Sequence, residues 1–221
     1  MPSRGARALT PSGIILVDKP AGPTSFAIVA AVRRGTGART GHAGTLDPFA
    51  TGLLLLLSGT ATKLQPRFVG LDKRYLTEID LRERTTTGDP EGEIVDRHEP
   101  PSPDGLEEDV ARLRGVVGLP IPAASAVKID GERAYRLHRR GVVVEMPIRQ
   151  MTIHELELVG YEDGIASLEL HVSSGTYVRS IAEALGGHCR SLRRTEIGPF
   201  SVEEADPDTI LPADEALARL G

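Results

Sequence analysis

The sequence predicts an α+β protein, a mixed, largely antiparallel sheet flanked by helices. Three observations carry that reading. Strand-like and helix-like patterns are interspersed without strict β-α alternation, no internal repeat is present, and 40% hydrophobic against 26% charged residues over 221 positions describes a chain with a sizeable core.

The elements follow in order. Residues 1–12 read as a flexible leader, 13–205 as the main domain and 206–221 as a C-terminal helical extension. Residues 13–18 form a short apolar strand, stopped by Lys19-Pro20-Ala21-Gly22-Pro23. Thr24 or Ser25 caps a helix that Gly35 ends. A glycine-rich stretch over 36–52 leads into the five leucines of 53–57, a buried-strand length far below the roughly 18 apolar residues of a membrane span. Residues 60–69 form a helix limited by Pro66. In 73–81, Tyr75, Thr77, Ile79 and Leu81 alternate with Glu78 and Asp80, the pattern of a half-exposed strand. Residues 84–105 lack apolar periodicity and read as a long surface loop with room for short strands, and 106–114 as a helix. Another helix surrounds Ala134 and Leu137. Strands are expected at 142–145, 151–159 and 165–172, a helix over 178–185 ended by Gly186-Gly187, a strand over 194–200 and a last helix over 211–220.

The net charge of −5 would disfavour a nucleic-acid partner were it evenly spread. It is not: residues 78–109 hold twelve acidic residues against Arg82, Arg84 and Arg97, so the remainder carries an excess of four positive charges. Its basic residues cluster at Arg33/Arg34/Arg39, Lys63/Arg67, Lys73/Arg74, Arg133/Arg136/Arg139/Arg140 and Arg190/Arg193/Arg194, which suits phosphate binding if several share a face. The single cysteine, Cys189, excludes an internal disulfide, and no secretory signal pattern follows Arg4 and Arg7; both point to the cytoplasm.

Several chemistries lose their weight. Gly35, Gly37 and Gly41 miss the dinucleotide-loop spacing, no Walker phosphate loop is present, and the six histidines show no metal-ligand spacing. What remains is Gly41-His42-Ala43-Gly44-Thr45-Leu46-Asp47-Pro48-Phe49-Ala50-Thr51-Gly52, in which Asp47 is the only carboxylate. Local chemistry alone makes Asp47-Pro48 a turn; the sharper reading makes Asp47 a nucleophile or base on a rigid loop.

Four ordered segments carry a resemblance: 19–25, 41–52, Lys73-Arg74-Tyr75 and Ser173-Ser174-Gly175-Thr176-Tyr177-Val178-Arg179-Ser180, with 125–135 as a further match. Between about residues 13 and 200 the chain resembles the TruB family of tRNA pseudouridine synthases. The resemblance implies the pseudouridine synthase fold and the isomerisation of uridine 55 in the tRNA T-loop, with neither cofactor nor metal. It makes Asp47 the catalytic nucleophile, Tyr75 the aromatic that stacks on the target base, and Arg179 the partner that keeps the carboxylate ionised. His42 fills the space left by a flipped nucleotide; Lys19 braces the loop or touches RNA, and Lys63, Arg139, Arg140 and Tyr177 contact RNA. The implied partner is the T-arm of tRNA, with no membrane and no required protein partner. Two departures stand out. Gly118-Leu119-Pro120-Ile121-Pro122 replaces the family's Gln-x-Pro-Pro pattern, and the usual C-terminal PUA-like domain is absent from the sequence. The alternatives are a synthase acting on another RNA uridine and a non-catalytic RNA-binding or tRNA-folding module. A glycoside hydrolase is weaker, for want of a second carboxylate in a comparable motif.

Overall fold

Five consecutive leucines can be covered on both faces only in an interior strand, and Leu53 to Leu57 are all 0% exposed. The computed structural model describes residues 12–221, so the leader expected over 1–12 lies, apart from its last residue, outside the described residues. Along the chain run β1 (Gly13–Lys19), α1 (Ser25–Thr36), β2 (Thr40–His42), β3 (Thr51–Ser58), a 3-10 turn and α2 (Gln65–Val69). Then follow β4 (Lys73–Asp80), β5 (Glu83–Thr85), β6 (Ile94–Arg97), α3 (Pro103–Arg112), β7 (Gly115–Pro120), β8 (Lys128–Ile129), β9 (Glu132–Arg133) and α4 (Ala134–Arg139). The chain ends with β10 (Ile148–Glu162), β11 (Ile165–Val172), α5 (Val178–Ala184), β12 (His188–Ile197), β13 (Phe200–Ser201), β14 (Asp206–Leu211) and α6 (Ala213–Ala218). The fold is the expected α+β architecture. These elements group into two compact units, one of residues up to Val69 together with Glu196–Gly221, the other Gly70–Thr195.

In the first unit β1 lies between β14 and β3, antiparallel to both, with Ile14 opposite Leu57 and Lys19 opposite Gly52. Val29 of α1 packs with Ile15, Val17, Leu54 and Leu56, and the half-buried Ile28 and Val32 extend that cluster along the helix. The Thr24 hydroxyl caps α1 by accepting from the Ala27 N–H at 3.1 Å. The helix runs past Gly35, because Gly37, at φ 66°, supplies the left-handed cap that the sequence reading assigned to Gly35.

In the second unit the strand order is β12-β4-β11-β10-β7, and β4, β11, β10 and β7 pair antiparallel in turn. Three expectations fail here. Residues 142–145 form no strand, and Val143 is 97% exposed. The half-exposed face of β4 is interrupted by Asp80, which is buried because its carboxylate takes two guanidinium hydrogen bonds from Arg82, at 2.9 and 2.6 Å. The segment after residue 84 holds short strands, the β5–β6 hairpin, as the sequence allowed, but it is not all surface, since Thr85, Gly88 and Asp89 are buried. The strands β7 and β14 had no counterpart in the sequence reading, and the final helix spans only Ala213–Ala218 of the expected 211–220, Leu211 belonging to β14 and Pro212 and Arg219 standing at its ends.

Candidate active site

The segment around Asp47 is fixed by its neighbours in the first unit. The buried Ser25 hydroxyl donates to the Leu46 carbonyl and accepts from the Leu46 N–H, both at 2.8 Å. On the other side, Pro48 offers its carbonyl to the Gly22 N–H at 2.8 Å and to the Lys19 ammonium at 3.1 Å. Lys19 also donates to the carbonyls of Pro20 and Pro23, at 2.8 and 2.9 Å. The Ala50 N–H closes the turn on the Asp47 carbonyl at 3.2 Å. Gly44, at φ 107°, takes a backbone angle that an L side chain would oppose. Asp47 itself is half-buried, between two residues whose main chains are tied down. The side chain therefore springs from a main chain with a defined position.

Lys19 is 0% exposed, so it braces the loop and offers no ammonium to an RNA phosphate; the RNA contact expected of it is corrected on that ground. His42 is half-buried at the end of β2, its carbonyl accepting from the Gln65 amide at 2.8 Å. Lys63 is exposed.

Tyr75 and Arg179 belong to the second unit. Tyr75 is 8% exposed on β4, opposite Leu170 of β11, on the face it shares with the buried Thr77 and Ile79. Its neighbour Lys73 is buried, and its ammonium donates to the Leu71 carbonyl and to the Ser174 hydroxyl, the latter at 3.1 Å. Burial first, and the nearby Arg194 charge second, push the Lys73 ammonium down to about 8. Lys73 thus ties the Lys73-Arg74-Tyr75 motif to the Ser173–Ser180 motif, a link between segments a hundred residues apart.

Arg179, 3% exposed on α5, sits 3.3 Å from the Asp89 carboxylate and donates to the carbonyls of Thr87 at 2.8 Å and Ala124 at 3.1 Å. Asp89 is in turn fixed by the Thr87 hydroxyl at 2.5 Å and the Glu91 N–H at 3.1 Å. Sequence reasoning missed Asp89, since it lies in an acidic stretch whose other carboxylates gave no reason to single it out. Glu183, one turn along α5, is held above the usual carboxylate range by burial, although Arg179 and Arg84 oppose that shift. Tyr177 is half-buried with the Arg149 guanidinium 5.9 Å from its ring centre. Arg139 and Arg140 are exposed at the end of α4. Arg140 pairs with Glu132 at 2.8 Å and Arg139 lies 5.7 Å from the Tyr135 ring centre. Among the described residues no helix is long and apolar enough to cross a membrane.

Comparison with known proteins defines the class first. A crystal structure of a pseudouridylate synthase matches 97% of this chain and 76% of that one with a TM-score of 0.51 at 17% identity, which establishes a shared fold. The crystal structure of a Cbf5-Nop10-Gar1 complex gives a TM-score of 0.67 at 26% identity over 86% of this chain, and this chain spans only 50% of its match there. The family then follows from sequence. Residues 33–178 match the model of the TruB family pseudouridylate synthase N-terminal domain. The chain is 41% identical to tRNA pseudouridine synthase B of Thermobifida fusca, over 93% of this chain and 78% of that protein. It is 45% identical to the protein of the same name from Synechococcus sp., over 95% and 79% respectively. The chain belongs to the TruB family of pseudouridylate synthases, and the enzyme is an isomerase.

Proposed function

We propose that the chain converts uridine 55 in the T-loop of tRNA to pseudouridine, with Asp47 as the nucleophile. The observation that carries this reading is the Asp47 turn: the main chain on both sides is locked by Ser25, Gly22 and Lys19, while the carboxylate stays half-buried. Support for the substrate comes from relatives about 40% identical that bear the name tRNA pseudouridine synthase B.

The chemistry is an isomerisation. The bond between the ribose and N1 of uracil breaks, the base turns, and a new bond joins the ribose to C5; C5 gives up its hydrogen as a proton and N1 takes one up, so product and substrate hold the same atoms and electrons. Asp47 supplies the nucleophile that holds the reacting fragment during the turn. Tyr75 offers its ring to the detached base, and Arg179, itself anchored by Asp89, supplies the compensating cation. Flipping the uridine out of its stack is what exposes it to these groups. His42, Lys63, Tyr177, Arg139 and Arg140 line the RNA, and the reaction runs on the T-arm in the cytoplasm without a protein partner.

The test is to incubate the protein with an unmodified tRNA transcript and map pseudouridine position by position. A single new pseudouridine at position 55 is the expected result. Modification confined to another uridine, or none at all, overturns the proposed substrate.

A further inference from the structure

We propose that Asp72, His154 and His171 form a binding site for a divalent transition-metal ion of the zinc class, separate from the uridine chemistry. The site is built by strand register. Ile153 of β10 faces Val172 of β11 and Glu155 faces His171, so two steps on β10 match one on β11, and His154 is the extra residue of a β-bulge. In a regular ladder His154 and Glu155 would point to opposite faces. The bulge instead brings His154 beside His171, with ring centres 4.8 Å apart and planes at 44°. On the other edge of β11, Arg74 of β4 faces His171, and Asp72 stands one residue before β4. Two neighbouring strands and the residue leading into a third thus deliver one side chain each, from positions 82 and 17 residues apart in sequence.

The donor atoms converge. The Nε2 atoms of His154 and His171 lie 3.2 and 3.9 Å from the same Asp72 oxygen, Oδ2, and one donor atom from each of the three residues lies within 4.8 Å of the others. Bonds of about 2.0–2.1 Å to a tetrahedral ion place its ligand atoms about 3.4 Å apart, so a small contraction closes the set. Two imidazoles and a carboxylate suit zinc, cobalt or nickel over magnesium or calcium, which take oxygen ligands. Behind His171, Nδ1 lies 3.7 Å from the Glu155 carboxylate, a distance at which the carboxylate adds negative charge beside the ring without a direct hydrogen bond. The Arg74 guanidinium, 3.4 Å from that Nδ1, is itself neutralised by Glu155 at 2.6 and 3.3 Å. All three ligands are partly exposed, so an ion can enter and keep water in the remaining position. A surface ion pair alone would explain Asp72 and one histidine; it does not explain a bulge that turns a second imidazole nitrogen onto the same oxygen. A bound ion would clamp β4, β10 and β11, and β4 is the strand that carries Tyr75.

The test uses untagged, chelator-treated protein. Zinc chloride is titrated by calorimetry, and cobalt chloride is followed by its visible absorption. One ion per chain, a cobalt d–d band and no heat with magnesium chloride are expected. His154→Gln with His171→Gln should weaken zinc binding more than tenfold, and Asp72→Asn should weaken it in the same direction. His98→Gln, at the separate His98–Asp96 contact, should change nothing. Absence of saturable zinc binding, or binding unchanged in both the double variant and Asp72→Asn, overturns the site. If circular dichroism shows the double variant unfolded, the near-isosteric Asp72→Asn decides alone.

Discussion

Ser25→Ala tests the rigidity of the Asp47 turn at its tightest point. The Ser25 hydroxyl is the buried partner of both the Leu46 N–H and the Leu46 carbonyl, at 2.8 Å each. Alanine leaves both groups unsatisfied in a place from which water is excluded, at about 1–3 kcal/mol for each. Relaxation of the turn recovers part of that, so a net loss of about 2–4 kcal/mol is expected, a large part of the roughly 5–15 kcal/mol by which a domain is stable. Thr24→Ala, next to it, removes only an exposed helix cap and should cost about 1 kcal/mol. Urea denaturation of the two variants, read at constant m-value, gives the comparison directly. Single-turnover pseudouridine formation well below the unfolding midpoint should fall in Ser25→Ala and stay near wild type in Thr24→Ala. A Ser25→Ala loss no greater than that of Thr24→Ala, or a destabilised Ser25→Ala with wild-type turnover, would refute the idea that the reaction depends on this pin.

Three further outcomes are expected. Tyr75→Phe keeps the ring and should bind RNA like wild type, whereas Tyr75→Leu should lose about 1–3 kcal/mol of binding; equal affinity of both in a filter-binding assay would return Tyr75 to a purely structural role. Asp89→Ala removes a buried carboxylate 3.3 Å from the Arg179 guanidinium and should destabilise by about 3–5 kcal/mol. The milder Asp89→Asn should lower kcat with little change in KM, and a pure KM effect would contradict its role in positioning Arg179. Lys73 titrates near 8 in the folded chain against 10.5 in its ordinary state, so between these values the unfolded chain binds the extra proton and stability gained through this group rises with pH. Relative to Lys73→Met, wild type should gain about 3 kcal/mol from pH 8 to pH 10.5, and a pH-independent difference in urea midpoints would show that the ammonium is not desolvated.

The parts of the fold that were legible in the sequence are those with an internal period. The leucines of 53–57 and the alternation from Tyr75 to Leu81 announced β3 and β4, and Thr24 announced the start of α1. β7 was hidden by Gly115, Gly118 and Pro120, which break strand propensity, and its edge position asks for little apolar content. β14 carries Asp206, Pro207 and Asp208 and has no alternation to detect. Residues 142–145 misled in the other direction, since three valines in a row read as a strand although no neighbour pairs with them. At the site, motif order led to Asp47, Tyr75 and Arg179. Lys19 reads from the sequence as a loop brace or an RNA contact, and its burial against three carbonyls favours the brace. Asp89 could not be chosen among twelve acidic residues before the fold showed it against Arg179. His154 and His171 meet only because of a bulge, and no spacing rule in the sequence encodes a bulge.

The most direct test of the account is the replacement of Asp47 by asparagine, which keeps the shape of the side chain and removes its nucleophilic charge. Wild type and Asp47→Asn are incubated with the same unmodified tRNA transcript under single-turnover conditions, and bound and converted RNA are measured together. The account predicts near wild-type binding with conversion reduced by at least about 10³-fold. Conversion by Asp47→Asn within tenfold of wild type would contradict it and place the nucleophile elsewhere.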